Sequence, residues 1–132
     1  MLFLLDTNIC SYIIKKNPTR VFDRFKQYGT EDIAVSSLTL AEMQYGVAKS
    51  EYRQKAQRAL DEFMRPLTVL DFTADAAVAY GEIRARLTRE GRLIGGMDML
   101  IAAQAISANV TLVSNNMREF SRVPGLLIEN WV

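Results

Sequence analysis

Three acidic residues, Asp6, Glu42 and Asp98, lie beside segments that the sequence predicts to be strands or the first turns of helices. Asp6 follows the apolar run of residues 2–5, and Glu42 falls shortly after the strand-like run of residues 33–36. Asp98 begins the most apolar helical segment of the chain. Because ligands of open α/β sheets bind beyond the carboxyl ends of the strands, we expect these three carboxylates to share one cleft.

Each candidate also has a purely structural interpretation. Asp6 and Asp98 are both good helix N-caps, and residues 39–42 match a capping box that would include Glu42. Asn116, in a run that follows another predicted strand, is a common turn residue, and Glu119 lies one helical turn further on. Only the expected convergence at one sheet edge favours a functional role over these structural ones.

Carboxylates gathered in one cleft repel one another and are costly to bury unless a cation neutralises them. The chain has no histidine and a single cysteine, Cys10, which excludes histidine-based hydrolase mechanisms and a thiolate-rich zinc site within the chain. Oxygen-only ligands favour Mg²⁺ or Mn²⁺, and such ions activate water for attack on a phosphodiester. The sequence therefore predicts phosphodiester hydrolysis without histidine.

The elements that would position these residues alternate along the chain. Strands are predicted at residues 2–5, 33–36, 68–71, 111–114 and 126–129, and helices at about 7–17, 18–28, 37–49, 51–64, 73–90 and 97–108. The segment between the last two strands is predicted to be turn-rich. Such alternation implies right-handed crossovers and predicts an α/β fold, a three-layer α/β/α domain with a mostly parallel sheet of about five strands.

Bulk properties narrow the class of protein. A length of 132 residues predicts a single domain spanning residues 1–132. Sixteen basic and fifteen acidic residues give no overall basic field, so any affinity for nucleic acid must come from local patches. No apolar stretch approaches the roughly 18 residues of a membrane span, and no export signal is recognisable. We therefore expect a cytoplasmic protein that does not bind membranes.

Several segments, taken in order, resemble the PIN-domain endonucleases and, among them, the VapC toxins of bacterial type II toxin-antitoxin modules. The matching stretches are residues 1–8, 36–42 with 45–46, 94–98 with 101–103, 112–116, 118–126 and 129–131. The closing segment is similar to the branch that cuts initiator tRNA in its anticodon loop. The resemblance thus implies a PIN-like fold and a toxin that is an Mg²⁺- or Mn²⁺-dependent endoribonuclease.

That resemblance also implies roles for individual residues. Asp6 and Asp98 match the usual direct metal ligands, and Glu42 would orient water or a second ion. The family often has a fourth acid where this chain has Asn116, so one ligand is either neutral here or replaced by Glu119. The number of metal ions therefore stays open.

The resemblance further implies a homodimer and a VapB-type antitoxin that blocks the acidic cleft, commonly with a basic side chain. Among the basic residues, Arg118 and Arg122 are the predicted RNA contacts, because they flank Glu119 close to the same sheet edge.

Two other functions compete with this interpretation. A phosphotransfer receiver domain has a similar length and sheet, but it resembles a pattern with paired acids after the first strand, where this chain has Asp6 followed by Thr7 and Asn8. A non-catalytic PIN module that binds RNA or protein is the second alternative. Intact acidic positions argue against it, since degenerate PIN domains tend to lose them.

Overall fold

The computed structural model describes all 132 residues and contains five strands, seven α-helices and one short 3-10 helix, Thr30–Asp32. The strands are β1 (Phe3–Leu5), β2 (Ile33–Ser36), β3 (Thr68–Leu70), β4 (Thr111–Val113) and β5 (Ile128–Glu129). The helices are α1 (Thr7–Lys15), α2 (Thr19–Lys26), α3 (Ser37–Ala48), α4 (Arg53–Met64), α5 (Ala74–Arg89), α6 (Gly96–Ala108) and α7 (Met117–Phe120). None of these helices combines the length and apolar character that a membrane crossing requires.

The five strands form one sheet in the order β3-β2-β1-β4-β5, and every neighbouring pair is parallel. This confirms the predicted α/β fold with its parallel, five-stranded sheet. In the register, Leu5 lies opposite Val35 of β2 and Val113 of β4. The residues that follow in each strand, Asp6 and Ser114 among them, consequently emerge together at the carboxyl edge of the sheet.

Helices cover both faces of the sheet, as the near-continuous burial of its central strands requires. Side chains alternate across β1: Phe3 and Leu5 pack into a core with α1 and α2, whereas Leu4 points into a second core. The second core contains Ile83 and Leu87 of α5 and most of the buried face of α6. The predicted three-layer α/β/α arrangement is therefore confirmed.

Helix α6 is buried on most sides, as its apolar sequence predicts, and its one fully buried polar side chain reaches the strand ends. Gln104 accepts a hydrogen bond from the Ser36 hydroxyl and donates one to the Leu70 carbonyl at 3.0 Å. Because Ser36 ends β2 and Leu70 ends β3, this amide ties α6 to the carboxyl edges of two neighbouring strands.

The structure corrects two details of the predicted elements. The segment after β4 is not only turns, since Met117–Phe120 forms the short helix α7 with Phe120 buried beneath it. The last strand is two residues, Ile128–Glu129, instead of the predicted four. In both places the sequence offers too few residues for a recognisable period.

Candidate active site

A cleft of about 210 Å³ opens at the carboxyl edge of the sheet and contains most of the predicted site residues. Its lining includes Asp6 between β1 and α1, Glu42 on α3, Asp98 on α6 and Asn116 just after β4. The remaining lining residues are Thr7, Asn8, Thr39, Met97, Ile101 and Phe120. Four elements that are distant in sequence thus bring their polar residues to one place, as the topology predicts.

Asp6 both caps a helix and faces the cleft. Its Oδ1 atom accepts a hydrogen bond of 3.0 Å from the Ile9 amide, which makes Asp6 the N-cap of α1. Burial raises the pKa of this carboxyl; the Ser114 hydroxyl and the Ile9 amide lower it, and the charge of Glu42 raises it further. The N-cap interpretation is therefore confirmed, and it leaves a half-buried carboxylate at the floor of the site.

Glu42 is held by a neighbour from α1 and not by a capping box. The Thr7 hydroxyl donates a 2.7 Å hydrogen bond to Glu42 Oε1. The N-cap of α3 is Ser36, whose hydroxyl accepts from the Leu38 amide, so the capping box proposed for residues 39–42 is wrong. Glu42 is exposed on the wall of the cleft, where its carboxylate can meet solvent or a ligand.

Asp98 and Asn116 lie together on another wall of the cleft, and Glu119 joins them from outside the lining. The Asn116 side-chain amide donates to Asp98 Oδ2 at 3.3 Å and to Glu119 Oε2 at 3.2 Å. The N-cap interpretation of Asp98 is wrong, because α6 begins at Gly96 with Gly95 as its cap, which places Asp98 in the first turn. Asn116 and Glu119 both form hydrogen bonds with Asp98, so which of the two takes the fourth position stays open.

The ionisation of this wall reflects crowding among acids. Burial, followed by the nearby Glu119 carboxylate and the charges of Asp6 and Glu42, raises the pKa of Asp98 to about 6. Hydrogen bonds from Asp98 and Asn116 lower the pKa of Glu119. Asp98 is therefore protonated more readily than Glu119, and below about pH 6 the pair carries less than its full negative charge.

Thr39 is a site residue that sequence reasoning missed. Its hydroxyl lies fully buried against the cleft and has no hydrogen-bond partner. Buried hydroxyls without partners are rare because they lose hydrogen bonds to water without compensation. Its place three residues before Glu42 suggested a capping box, and that interpretation concealed its position in the cleft.

Arg118 and Arg122, the predicted RNA contacts, are not part of the cleft lining. Arg118 is exposed on α7, whereas the Arg122 guanidinium donates a 3.2 Å hydrogen bond to the Leu93 carbonyl. Arg122 also lies close enough to Glu119 to lower the pKa of that carboxyl. Arg122 therefore lies near the site, and the role of both arginines in RNA binding stays a prediction.

The donor set of the cleft suits a hard divalent cation. No three carboxylates lie close enough together to form a complete metal-binding cage. Mg²⁺ is usually bound by one or two carboxylates and several waters, so it does not need such a cage. A bound cation would stabilise the ionised carboxylates of Asp6 and Asp98, whose pKa values are raised. Its water ligands would offer the Thr39 hydroxyl the hydrogen-bond partner that it lacks within the chain.

The sequence matches the PIN domain family over residues 3–126, a span that includes every cleft residue named above. Ribonuclease VapC2 of Rickettsia felis is 46% identical to the chain, with the alignment covering 99% of the chain and 98% of that protein. The tRNA(fMet)-specific endonuclease VapC of Salmonella typhimurium is 41% identical, over 98% of the chain and 97% of that protein.

Similarity extends to the three-dimensional structure. The crystal structure of VapBC2 from Rickettsia felis, bound to a DNA fragment from their promoter, contains a chain that superimposes with a TM-score of 0.91. That chain is 44% identical in sequence, and the superposition covers 100% of both chains. The likeness therefore includes the whole sheet, all of its covering helices and the cleft.

Proposed function

We propose, because this chain belongs to the VapC ribonucleases of the PIN-domain family, that its cleft hydrolyses RNA phosphodiester bonds with the help of Mg²⁺ or Mn²⁺. One observation carries the proposal. Asp6 and Asp98 lie in the same cleft, together with Glu42 and an unpartnered, buried Thr39 hydroxyl. An acidic site with raised carboxyl pKa values gains most from binding a cation and then a phosphate.

Asp6 and Asp98 would hold the cation, since they are the two buried or half-buried carboxylates of the cleft. When bound, such an ion lowers the pKa of a coordinated water and stabilises charge on the phosphate oxygens. The Asn116 side-chain amide orients the Asp98 carboxylate by donating a hydrogen bond to it, and the same amide also donates to Glu119. These contacts fix the direction of Asp98 before substrate arrives.

Glu42 is the residue best placed to accept a proton from the attacking water. It is exposed to the cleft, and only the Thr7 hydroxyl holds it. In the hydrolysis, the water oxygen bonds to phosphorus, the bond to the leaving ribose oxygen breaks, and a proton returns to that oxygen. Glu42 and Asp98 both line the space in which those proton transfers would occur.

The proposed substrate is tRNA, with the initiator tRNA anticodon loop as the cutting site. Support comes from the Salmonella relative that is named a tRNA(fMet)-specific endonuclease and from the similar closing segment, residues 118–131. An RNA of this kind would place the activity in the cytoplasm. Arg118 is proposed to bind a phosphate beside the cut, and Arg122 is proposed to bind one with the guanidinium N–H groups that its contact with the Leu93 carbonyl does not use.

The proposed partner is a VapB-type antitoxin, and the chain is proposed to act as the toxin of such a pair and to form a homodimer. Neighbouring solved structures are VapBC complexes, some of them bound to DNA. A basic side chain of the antitoxin would be attracted by the carboxylates of the cleft and would displace the cation. Added antitoxin should therefore inhibit cleavage in competition with Mn²⁺.

The test is cleavage of a total tRNA pool by the purified protein with Mg²⁺ or Mn²⁺, followed by mapping of the new ends. The control variant is Asp6→Asn, because asparagine can still cap α1 and should leave the fold intact. We expect one cut in the anticodon loop of initiator tRNA that disappears with EDTA and in the variant. Cleavage that persists in EDTA would refute the proposal, and RNA binding without cleavage would favour a non-catalytic module.

A further inference from the structure

Two exposed tyrosines lie on the outer side of α3 and on the connection from α3 to α4. The side chain of Tyr45 is 66% exposed and that of Tyr52 is 72% exposed, the two largest values among the aromatic residues. Neither ring contributes to a core cluster. Packing within the chain therefore gives no reason for these rings to be aromatic.

Cations surround the two rings. We define the α3–α4 surface by these tyrosines and their basic neighbours: Tyr45, Lys49, Tyr52, Arg53, Lys55 and Arg58. Lys49 Nζ lies 5.0 Å from the centre of the Tyr45 ring. Tyr52, Arg53, Lys55 and Arg58 line one open depression, in which Glu51 is the only acid.

The basic side chains of this surface form no ion pairs with other parts of the chain. The three ion pairs of the structure join Arg24 to Glu129, Lys26 to Asp23 and Arg86 to Glu90. None involves the α3–α4 surface, which therefore keeps four unpaired positive charges against one carboxylate. A chain with a formal net charge of only +1 concentrates an excess of positive charge here.

The α3–α4 surface is continuous with the cleft. Glu42, Tyr45 and Lys49 are spaced i, i+3 and i+7, so they follow one face of α3. Seven residues of helix advance about 10 Å along the axis. An extended strand whose phosphate lies at Glu42 would thus pass Tyr45 next and then reach the loop that carries Tyr52.

We propose that the α3–α4 surface binds a single-stranded stretch of the RNA substrate beside the scissile phosphodiester. Tyr45 and Tyr52 stack on bases, and Lys49, Arg53 and Arg58 contact phosphates. Charge complementarity and the alternation of rings with cations favour a nucleic-acid strand over a protein partner. This assignment rests on the proposed ribonuclease function, and it adds the path by which the strand leaves the cleft.

The first test compares two double variants for binding and cleavage of a fluorescent anticodon-arm RNA. Tyr45→Ala with Tyr52→Ala removes the rings, whereas Tyr45→Phe with Tyr52→Phe keeps their stacking faces and serves as the matched control. We expect the alanine variant to lose at least about fivefold in affinity for each base stack. Its KM should rise while kcat changes little, and the phenylalanine variant should behave like the unmodified protein.

The second test removes charge. The triple variant Lys49→Gln, Arg53→Gln and Arg58→Gln should bind RNA more weakly and should lose about 0.7 from the salt slope for each phosphate contact removed. The control is Arg84→Gln with Arg89→Gln on α5, which packs on the opposite face of the sheet. That control should keep the RNA affinity and the salt slope of the unmodified protein.

The outcomes separate the two proposals. If the unmodified protein cuts RNA and all of these variants bind and cut it equally well, the α3–α4 surface is not an RNA site and the ribonuclease proposal stands. If the variants keep RNA affinity but lose inhibition by the antitoxin, the surface binds protein and our assignment is overturned. If the unmodified protein neither binds nor cuts RNA with Mn²⁺ present, both proposals fail together.

Discussion

At the scale of single residues, the cleft brings together carboxylates that repel one another until a cation binds. Burial and neighbouring carboxylates raise the pKa of Asp98 to about 6, and burial raises that of Asp6. The same crowding that disfavours the charged carboxylates makes the cleft receptive to a cation. The acids are therefore explained better by binding than by their contribution to folding.

The pH dependence of the free energy of unfolding should reveal this repulsion among the carboxylates. Because the folded pKa of Asp98 lies above its ordinary value of 3.8, the native state holds more protons than the unfolded chain between those two values. The free energy of unfolding contributed by Asp98 should fall as pH rises through that window and stay low above about pH 6. Glu119, whose pKa is lowered, opposes this effect only near and below 4.5.

Replacing Asp98 with asparagine should therefore raise the melting temperature of the protein in EDTA near neutral pH. The difference from the unmodified protein should shrink as the pH falls from 6 towards 4.5. Thermal unfolding followed across this range provides the measurement. A melting profile identical to that of the unmodified protein would mean that Asp98 is not under electrostatic strain.

Thr39 offers a second prediction at this scale. Thr39→Val keeps the shape of the side chain and removes an unpartnered buried hydroxyl, so the free energy of unfolding should rise by about 1 kcal/mol. If the hydroxyl holds a water of the bound cation, cleavage should fall by roughly 10–100-fold. Thr39→Ser is the matched control, since it keeps the hydroxyl and should keep most of the activity. A valine variant that is as active as the unmodified protein would assign Thr39 a packing role only.

At the scale of elements, the carboxyl edge of the sheet is organised by α6 as much as by the strands. Gln104 joins the end of β2 to the end of β3 through Ser36 and the Leu70 carbonyl. Ser36 in turn caps α3, the helix that carries Glu42. The wall of the cleft is thus positioned by a buried polar network beneath it.

Replacing Gln104 with leucine should cost about 1–3 kcal/mol of unfolding free energy, because two polar groups lose their partner. Chemical denaturation measures the change. The matched control is Gln57→Leu on α4, whose hydrogen bond to Asp61 lies on the surface and should be worth at most about 0.5 kcal/mol. Equal effects of the two substitutions would show that the network does not support the sheet edge.

The elements also show what sequence patterns can and cannot predict. Long periodic helices and apolar strands were predicted closely, and from them the convergence of Asp6, Glu42 and Asp98 followed. Cap assignments at Glu42 and Asp98 were wrong because the residue that caps a helix is decided by backbone angles, which spacing does not determine. Gln104 makes its hydrogen bonds to residues distant in sequence, and such contacts leave no local sequence pattern. The lack of a partner for the Thr39 hydroxyl likewise cannot be predicted from neighbouring residues.

At the scale of the whole molecule, the nearly balanced net charge conceals the separation of acidic and basic side chains into two regions. Acids converge in the cleft, whereas unpaired cations collect on the α3–α4 surface. Net charge therefore gave no indication of an RNA partner, because the composition averages over both regions. A phosphate backbone held by the cations can approach the acids only when a metal ion neutralises them.

The most direct test of this account counts bound Mn²⁺ by electron paramagnetic resonance at the concentrations that support RNA cleavage. The proteins compared are the unmodified chain, Asp98→Asn, and Asp75→Asn as a control in which an exposed acid of α5 is replaced. We predict that Asp98→Asn loses both the bound ion and cleavage, whereas Asp75→Asn keeps both. Unchanged Mn²⁺ binding in Asp98→Asn, or cleavage by a protein without bound metal, would contradict the central claim that this cleft is a metal-dependent ribonuclease site.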